Sequence, residues 1–179
     1  LPYFKNTIKD KDLRVWSAGC STGEEAYTLA MIIDEFFGMD KSGWDTKILA
    51  TDISGKVLET AAKGIYDNEK TAVLTPERKL RYFKINDSKS SVVIDRIKDE
   101  VIFRKFNLMD KVYPFKRKFH VIFCRNVMIY FDEKTRTELI NKFYDATEYG
   151  GYLFIGHSET INRSKSKYKY VMPAVYRKE

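Results

Sequence analysis

Two textures alternate along the chain: short apolar runs that end in small or polar residues, and longer stretches in which apolar residues recur at helical spacing. The first run, residues 15–18, ends in three small residues at alternate positions, Gly19, Ser21 and Gly23, followed by Glu24 and Glu25. Ala26, Leu29, Ala30, Ile33 and Phe37 then recur at i, i+3, i+4, i+7 and i+11, a stripe that packs a helix on a sheet, and Gly38 stops it. A second strand, residues 47–51, runs into Asp52. Helices are predicted over residues 57–64, ended by Gly64, and 76–83, opened by Thr75 and Pro76. Between residues 83 and 106 lie short β-rich runs at 92–94 and 101–103, set off by a polar turn at 86–91, which predicts a small antiparallel excursion. Residues 120–124 form another buried strand, which ends at Arg125 and Asn126 before the apolar and aromatic stretch 127–131. Asp132 caps a helix with Leu139, Ile140, Phe143, Tyr144 and Thr147 on one face and Gly150 and Gly151 closing it. A strand at 152–156 and a closing pair, 168–172 and 174–177 around Pro173, complete the pattern.

Strands that alternate with helices call for crossover connections, hence an α/β fold with a largely parallel sheet and helices on both faces. At 179 residues, 44% of them hydrophobic, the chain suits one domain with a sizeable core. Residues 13–179 form that domain. Residues 1–12 lack an initial methionine, offer only Leu1, Tyr3, Phe4 and Ile8 as anchors, and read as the linker remnant of something upstream. There is no apolar run of membrane-span length and no signal-like segment, so the expectation is a cytoplasmic protein without membrane insertion. Cys20 and Cys124 show no metal-ligand spacing and read as reduced thiols, and no metal site is expected. A net charge of +7 favours an acidic partner, nucleic acid or an acidic protein surface.

Chemistry gathers at the strand ends. Small residues at Gly19, Ser21 and Gly23 let a ligand approach the backbone where the first turn of the next helix presents its N–H groups, an arrangement that suits a nucleotide-like cofactor. The same residues also serve as a plain strand-to-helix turn, with Ser21 and Glu24, or Thr22 and Glu25, as a capping box. Asp52, at the carboxyl end of its strand, suits ribose hydroxyls, or caps the helix that starts near Ser54. In a doubly wound sheet the Gly19 turn, Asp52, Asn107, Arg125 and Asn126 converge.

These residues carry a family resemblance. WSAGCSTGEEAYTLA, ATDIS, NLMD, FCRNVMIYFD and GYLFIGHSE resemble the chemotaxis receptor methyltransferases of the CheR type, over nearly the whole chain. The resemblance implies a class I, Rossmann-like methyltransferase domain that uses S-adenosylmethionine to convert chemoreceptor glutamates to methyl esters. It implies that Ala18, Gly19 and Glu25 face the methionine part of the cofactor, that Asp52 holds the ribose, and that Asn107 and Leu108 border the adenine. Cys124, Arg125 and Asn126 would line the cofactor and substrate side, with Tyr130 near the transferred methyl. Arg125 and Tyr130 are thus the catalytic pair, although an ordinary ion pair and a core aromatic are the plainer readings of the two. The partner implied is the chemoreceptor cytoplasmic domain, with the β-subdomain, expected at about 83–106, docking on it. Some members bind a peptide tether of the receptor through that subdomain, and the short, glycine-free turn at 86–91 argues against tight tether binding here.

Other functions compete. Gly19 to Gly23 also spells the G-x-S-x-G elbow of serine hydrolases, with His157 downstream as a base, but too little chain precedes Ser21 to supply that fold. The basic charge fits a nucleic-acid methyltransferase, yet no Asn-Pro-Pro-Tyr motif follows the strand at Cys124 and no Pro-Cys nucleophile pair is present. A non-catalytic receptor-binding module that senses the cofactor is a third alternative.

Overall fold

A computed structural model describes residues 1–179. In chain order the elements are α1 (Pro2–Thr7), β1 (Val15–Ala18), α2 (Glu24–Phe37), β2 (Ile48–Asp52), α3 (Gly55–Lys63), β3 (Ile65–Asp67), α4 (Asn68–Thr71), α5 (Pro76–Tyr82), β4 (Phe83–Ile85) and β5 (Ser90–Val93). They continue with α6 (Asp95–Lys98), β6 (Val101–Lys105), β7 (Phe119–Cys124), α7 (Glu133–Ala146), β8 (Thr147–Ile155), β9 (Lys169–Met172) and β10 (Val175–Arg177).

Seven strands make the main sheet, in the order β6-β2-β1-β7-β8-β10-β9. The first five run parallel, and β10 lies antiparallel between β8 and β9. From β1 the chain steps outward through β2 to β6, then crosses to the opposite side of β1 with β7. The order therefore reverses between β1 and β7, and a crevice opens at their carboxyl ends.

All four residues of β1 are buried, because helices cover both faces of the sheet. Val15, Ile48 and Ala50 join one core with Ala26, Ala30, Ile33 and Phe37 of α2, the stripe read from the sequence. Trp16 and Ile122 join the other with Leu139 and Phe143 of α7. Trp16 is wholly buried, ringed by Phe106, Tyr113, Phe115, Phe119 and Phe143, and its indole N–H donates to Thr51 Oγ1 at 2.9 Å. That bond satisfies a donor whose burial would otherwise cost about 1–3 kcal/mol.

Three expectations need correction. The antiparallel excursion is a separate three-stranded sheet, β3-β5-β4, built from residues 65–93 within the connection from β2 to β6. It therefore begins and ends earlier than 83–106. The run at 101–103 belongs instead to β6 of the main sheet, paired parallel to β2 from Ile48↔Val101 to Asp52↔Lys105. Three-residue β3 had no alternating pattern to betray it, and β-propensity alone does not tell a strand of one sheet from a strand of another. Gly150 and Gly151 do not close α7. The helix ends at Ala146 and β8 starts at Thr147, so both glycines lie inside the strand, where the pairing with β7 shifts register and Gly150 takes φ +78°. Finally, the segment read as a linker contains α1, and its Phe4 is buried against His120 and Tyr152. No helix is long and apolar enough to cross a membrane.

Candidate active site

The end of β1 is tied to the end of β2 by two bonds: the N–H groups of Gly19 and Cys20 both donate to the Thr51 carbonyl, at 2.8 and 2.9 Å. Gly19, Ser21 and Gly23 take φ values of +81°, +48° and +92°, so the turn alternates into the left-handed region. Glycine is needed there for space as well as for conformation. A Cβ on Gly19 would lie 2.5 Å from Val127 Cγ2, and one on Gly23 would lie 2.9 Å from Ala61 Cβ. Ser21 has no such freedom, and its strained backbone is held by donating its N–H to Asp52 Oδ2 at 3.0 Å.

Gly23 itself is the N-cap of α2, without a side-chain cap bond, so neither expected capping box forms. Thr22 Oγ1 instead donates to Glu24 Oε2 at 2.6 Å, and Lys70 reaches Glu24 Oε1 at 3.2 Å. Burial opposes the charged form of Glu24, but the bonds from Thr22, its own main chain and Lys70 outweigh it and hold the carboxyl below its ordinary range. Glu25 accepts from Ser17 Oγ at 2.8 Å and from Arg125 at 3.2 Å. The plainer reading of Arg125, an ion pair, is thus what the structure shows, and the pair spans the crevice from α2 to the end of β7.

Asp52 does not cap α3, whose N-cap is Ser54 without a side-chain cap bond, but it ties down the approach to that helix. Its Oδ1 accepts the Ser54 N–H at 2.9 Å at the entry to α3, and its carboxylate also faces the crevice. Each oxygen has accepted one N–H, leaving a lone pair for a hydroxyl donor.

Beside Asp52, past the end of the neighbouring strand β6, Asn107 Oδ1 accepts the Met109 N–H at 3.0 Å, and Tyr113 donates to the Leu108 carbonyl at 2.8 Å, fixing the loop after β6. Asn126 follows β7 at φ +59°. Tyr130, in a short 3-10 turn at Met128–Tyr130, is 81% exposed, so it is not a core aromatic.

Together these walls bound a cleft of about 1020 Å³ that includes Gly19, Glu25, Asp52, Asn107, Leu108, Arg125, Asn126 and Tyr130. Ala18 and Cys124, expected at the cofactor, end their strands beside the cleft; both are buried in the core shared with Trp16, and neither is among the residues that line it. Burial, with Asp52 nearby, pushes the Cys20 thiol up to about 12, and burial raises Cys124 as well, so neither is a ready nucleophile. His157 does not line the cleft that holds Ser21, so the hydrolase pair is not assembled there. His120 serves structure: its Nδ1 accepts the Arg14 N–H at 3.1 Å.

Several residues were missed. Ile53, Phe106, Met109 and Val127 supply apolar wall, and their only signal was adjacency to residues already chosen. Glu159, four residues past the end of β8, was missed as well, because nothing in its local sequence shows that it bonds main-chain N–H groups. It is buried, and its carboxylate accepts the N–H groups of Asn126, Met128 and Gly156.

The donor set fits S-adenosylmethionine. Three carboxylates, Glu24, Glu25 and Asp52, face the cleft against one cation, Arg125, which favours a ligand with positive charge and hydroxyl donors. Apolar Ile53, Phe106 and Leu108 offer a flat ring its place, and the volume suits a ligand of that size. A doubly wound sheet with an antiparallel β10, a glycine turn after β1 and an acid ending β2 define a class I S-adenosylmethionine-dependent methyltransferase.

Comparison with known proteins narrows this. The family profile described as "CheR methyltransferase, SAM binding domain" matches residues 2–176, and the chain belongs to that family, with S-adenosylmethionine as cofactor. It is 48% identical over 171 residues to a chemotaxis protein methyltransferase of Borreliella burgdorferi, covering 95% of this chain and 60% of that protein. It is 41% identical over 164 residues to chemotaxis protein methyltransferase 1 of Pseudomonas aeruginosa, covering 89% and 59%. The chemotaxis protein methyltransferase of Escherichia coli is 38% identical over 169 residues, covering 92% and 58%. The chain thus spans about three-fifths of the length of these curated relatives.

Proposed function

We propose that this chain is the catalytic domain of an enzyme that transfers the methyl group of S-adenosylmethionine to glutamate side chains of chemoreceptor cytoplasmic domains, giving methyl esters for chemotactic adaptation. The observation that carries the reading is the facing of two walls at the strand-order reversal: Asp52 and Glu25 on one side, Arg125 and the exposed Tyr130 on the other.

When bound, the cofactor supplies an electrophilic methyl on a sulfonium. Asp52 would accept from the ribose hydroxyls, Glu25 from the ammonium of the methionine part, and Asn107 and Leu108 would border the adenine. The three carboxylates of the cleft favour that cationic ligand electrostatically. Arg125, already within reach of Glu25, is placed to hold an incoming carboxylate, and Tyr130 to border it. A glutamate carboxylate, with an ordinary pKa of about 4.3, is already ionised at neutral pH, so the site needs no strong base. Positioning is left to do the work, and holding two reactants in line contributes about 7–11 kcal/mol in well-oriented reactions.

Residues 13–179 form the catalytic domain in this reading, and the small sheet β3-β5-β4 is the module that docks on the receptor. The net charge of +7 suits an acidic partner surface. Calorimetric titration with S-adenosylmethionine and S-adenosylhomocysteine, followed by methyl transfer to a receptor cytoplasmic fragment, is the test. Binding of both with transfer is expected. Binding without transfer, in a chain as long as the relatives, would instead indicate a cofactor-sensing module.

A further inference from the structure

The loop that brings Arg125, Asn126 and Tyr130 to the cleft hangs on one side chain outside it. Glu159 lies just past β8 and is 6% exposed. Its Oε2 accepts the N–H groups of Gly156 at 2.6 Å and Asn126 at 3.0 Å, and its Oε1 accepts the Met128 N–H at 2.7 Å. Two of those donors are in the loop, on either side of Val127. Asn126 sits in the left-handed region at φ +59°, which asparagine tolerates better than other non-glycine residues.

Packing leaves the loop no slack. A Cβ on Gly156 would lie 2.5 Å from Asn126 Oδ1 and 2.7 Å from Glu159 Oε2, and Val127 fills the space above Gly19. The loop is thus held from beneath by Glu159 and Gly156 and from the side by the turn after β1. A carboxylate is the side chain this arrangement calls for. It only accepts, and its two oxygens offer enough lone pairs for three N–H donors, whereas a glutamine would turn its own NH₂ toward one of them.

We infer that Glu159 is a positioning residue: it sets Arg125 and Tyr130 across the cleft from Glu25 and Asp52 without lining the cleft itself. Its consequence for rate rests on the methyl-transfer reading above; its consequence for the loop does not. Geometry alone predicts that loss of the carboxylate releases the N–H groups of Asn126 and Met128, while strand amides such as that of Ile122 stay protected.

The test is Glu159→Gln, with Gly156→Ala as a second variant that disturbs the same contact from the other side. Amide hydrogen exchange is followed in this chain, and methyl transfer to a receptor cytoplasmic fragment in the protein at the length of its relatives. For Glu159→Gln, exchange at Asn126 and Met128 is expected to quicken at least tenfold with Ile122 unchanged. For both variants, kcat is expected to fall at least tenfold, while KM for the receptor fragment and affinity for S-adenosylhomocysteine move less than threefold. Wild-type kcat in either variant would overturn the inference. So would a uniform loss of affinity, KM and kcat that follows the unfolded fraction. If the wild type transfers no methyl group but the exchange pattern changes as described, Glu159 still positions the loop and the methyl-transfer reading is what fails.

Discussion

Asp52 shows how one side chain can satisfy the backbone and still face a ligand. Each of its oxygens takes one main-chain N–H, from Ser21 and Ser54, and keeps capacity for a ribose hydroxyl. Asp52→Ala is predicted to weaken S-adenosylhomocysteine by roughly 1–3 kcal/mol, the size of lost hydrogen bonds to a charged group, in a calorimetric titration. Unchanged affinity would remove Asp52 from the site. Ser21 contributes its backbone, so Ser21→Ala is predicted to leave methyl transfer largely intact, and ester hydrolysis that vanished in this variant would revive the hydrolase reading. His120 gives a pH signature. Burial first, then the Arg14 guanidinium, lowers its pKa from 6.5 to about 4, so between those values the unfolded chain binds more protons than the folded one. The stability that follows is whole above pH 6.5 and is lost as pH falls toward 4. Urea midpoints measured across that window should fall with pH, and less steeply in His120→Gln.

Among elements, the turn at residues 19–23 is the most constrained. Gly23→Ala adds a left-handed non-glycine residue, a strain of about 1–3 kcal/mol, and pushes a Cβ against Ala61, so a lower urea midpoint and weaker S-adenosylhomocysteine binding are predicted. A variant as stable as the parent would show that the turn relaxes freely. The turn between β4 and β5 is closed on itself: Asp87 Oδ1 accepts the N–H groups of Lys89 and Ser90, and Asn86 bonds Asp87 and Ser90 Oγ. It extends no long arm over the edge strand β4, which supports the expectation of no tight binding of a receptor tether peptide. A low-micromolar complex in a fluorescence titration would contradict it. Elements with a strong local signal were legible beforehand, such as α2 with its stripe and Gly38, α5 with Thr75 accepting the Arg78 N–H, and α7 with Asp132 accepting from Thr135. What escaped were decisions made by tertiary pairing: which sheet Val101–Lys105 joins, and that Gly150 marks a register shift within β8 rather than a helix stop. The site divides the same way. Strand-end polar residues were readable because a parallel sheet places its carboxyl ends together, whereas Glu159 acts through backbone N–H groups that no side-chain motif reveals.

At the scale of the whole molecule, the cleft is lined by Asp52 at the end of β2 and by the segments that follow β1, β6 and β7, while rim residues Tyr130 and Ile53 remain largely exposed. In-line holding of an acceptor also needs water excluded from around it. The 179-residue chain is therefore predicted to bind S-adenosylhomocysteine and to methylate receptors far more slowly than a form as long as its relatives, of which it spans about three-fifths. Equal rates in the two forms would show that this chain alone holds the acceptor in line. The central claim is carboxylate methylation of a receptor. The direct measurement is transfer of radiolabelled methyl from S-adenosylmethionine to a chemoreceptor cytoplasmic fragment, followed by brief alkaline treatment. Label released as volatile methanol, absent when the receptor's acceptor glutamates are replaced by alanine, is the predicted result. Label that resists alkali, or that survives that replacement, would contradict it.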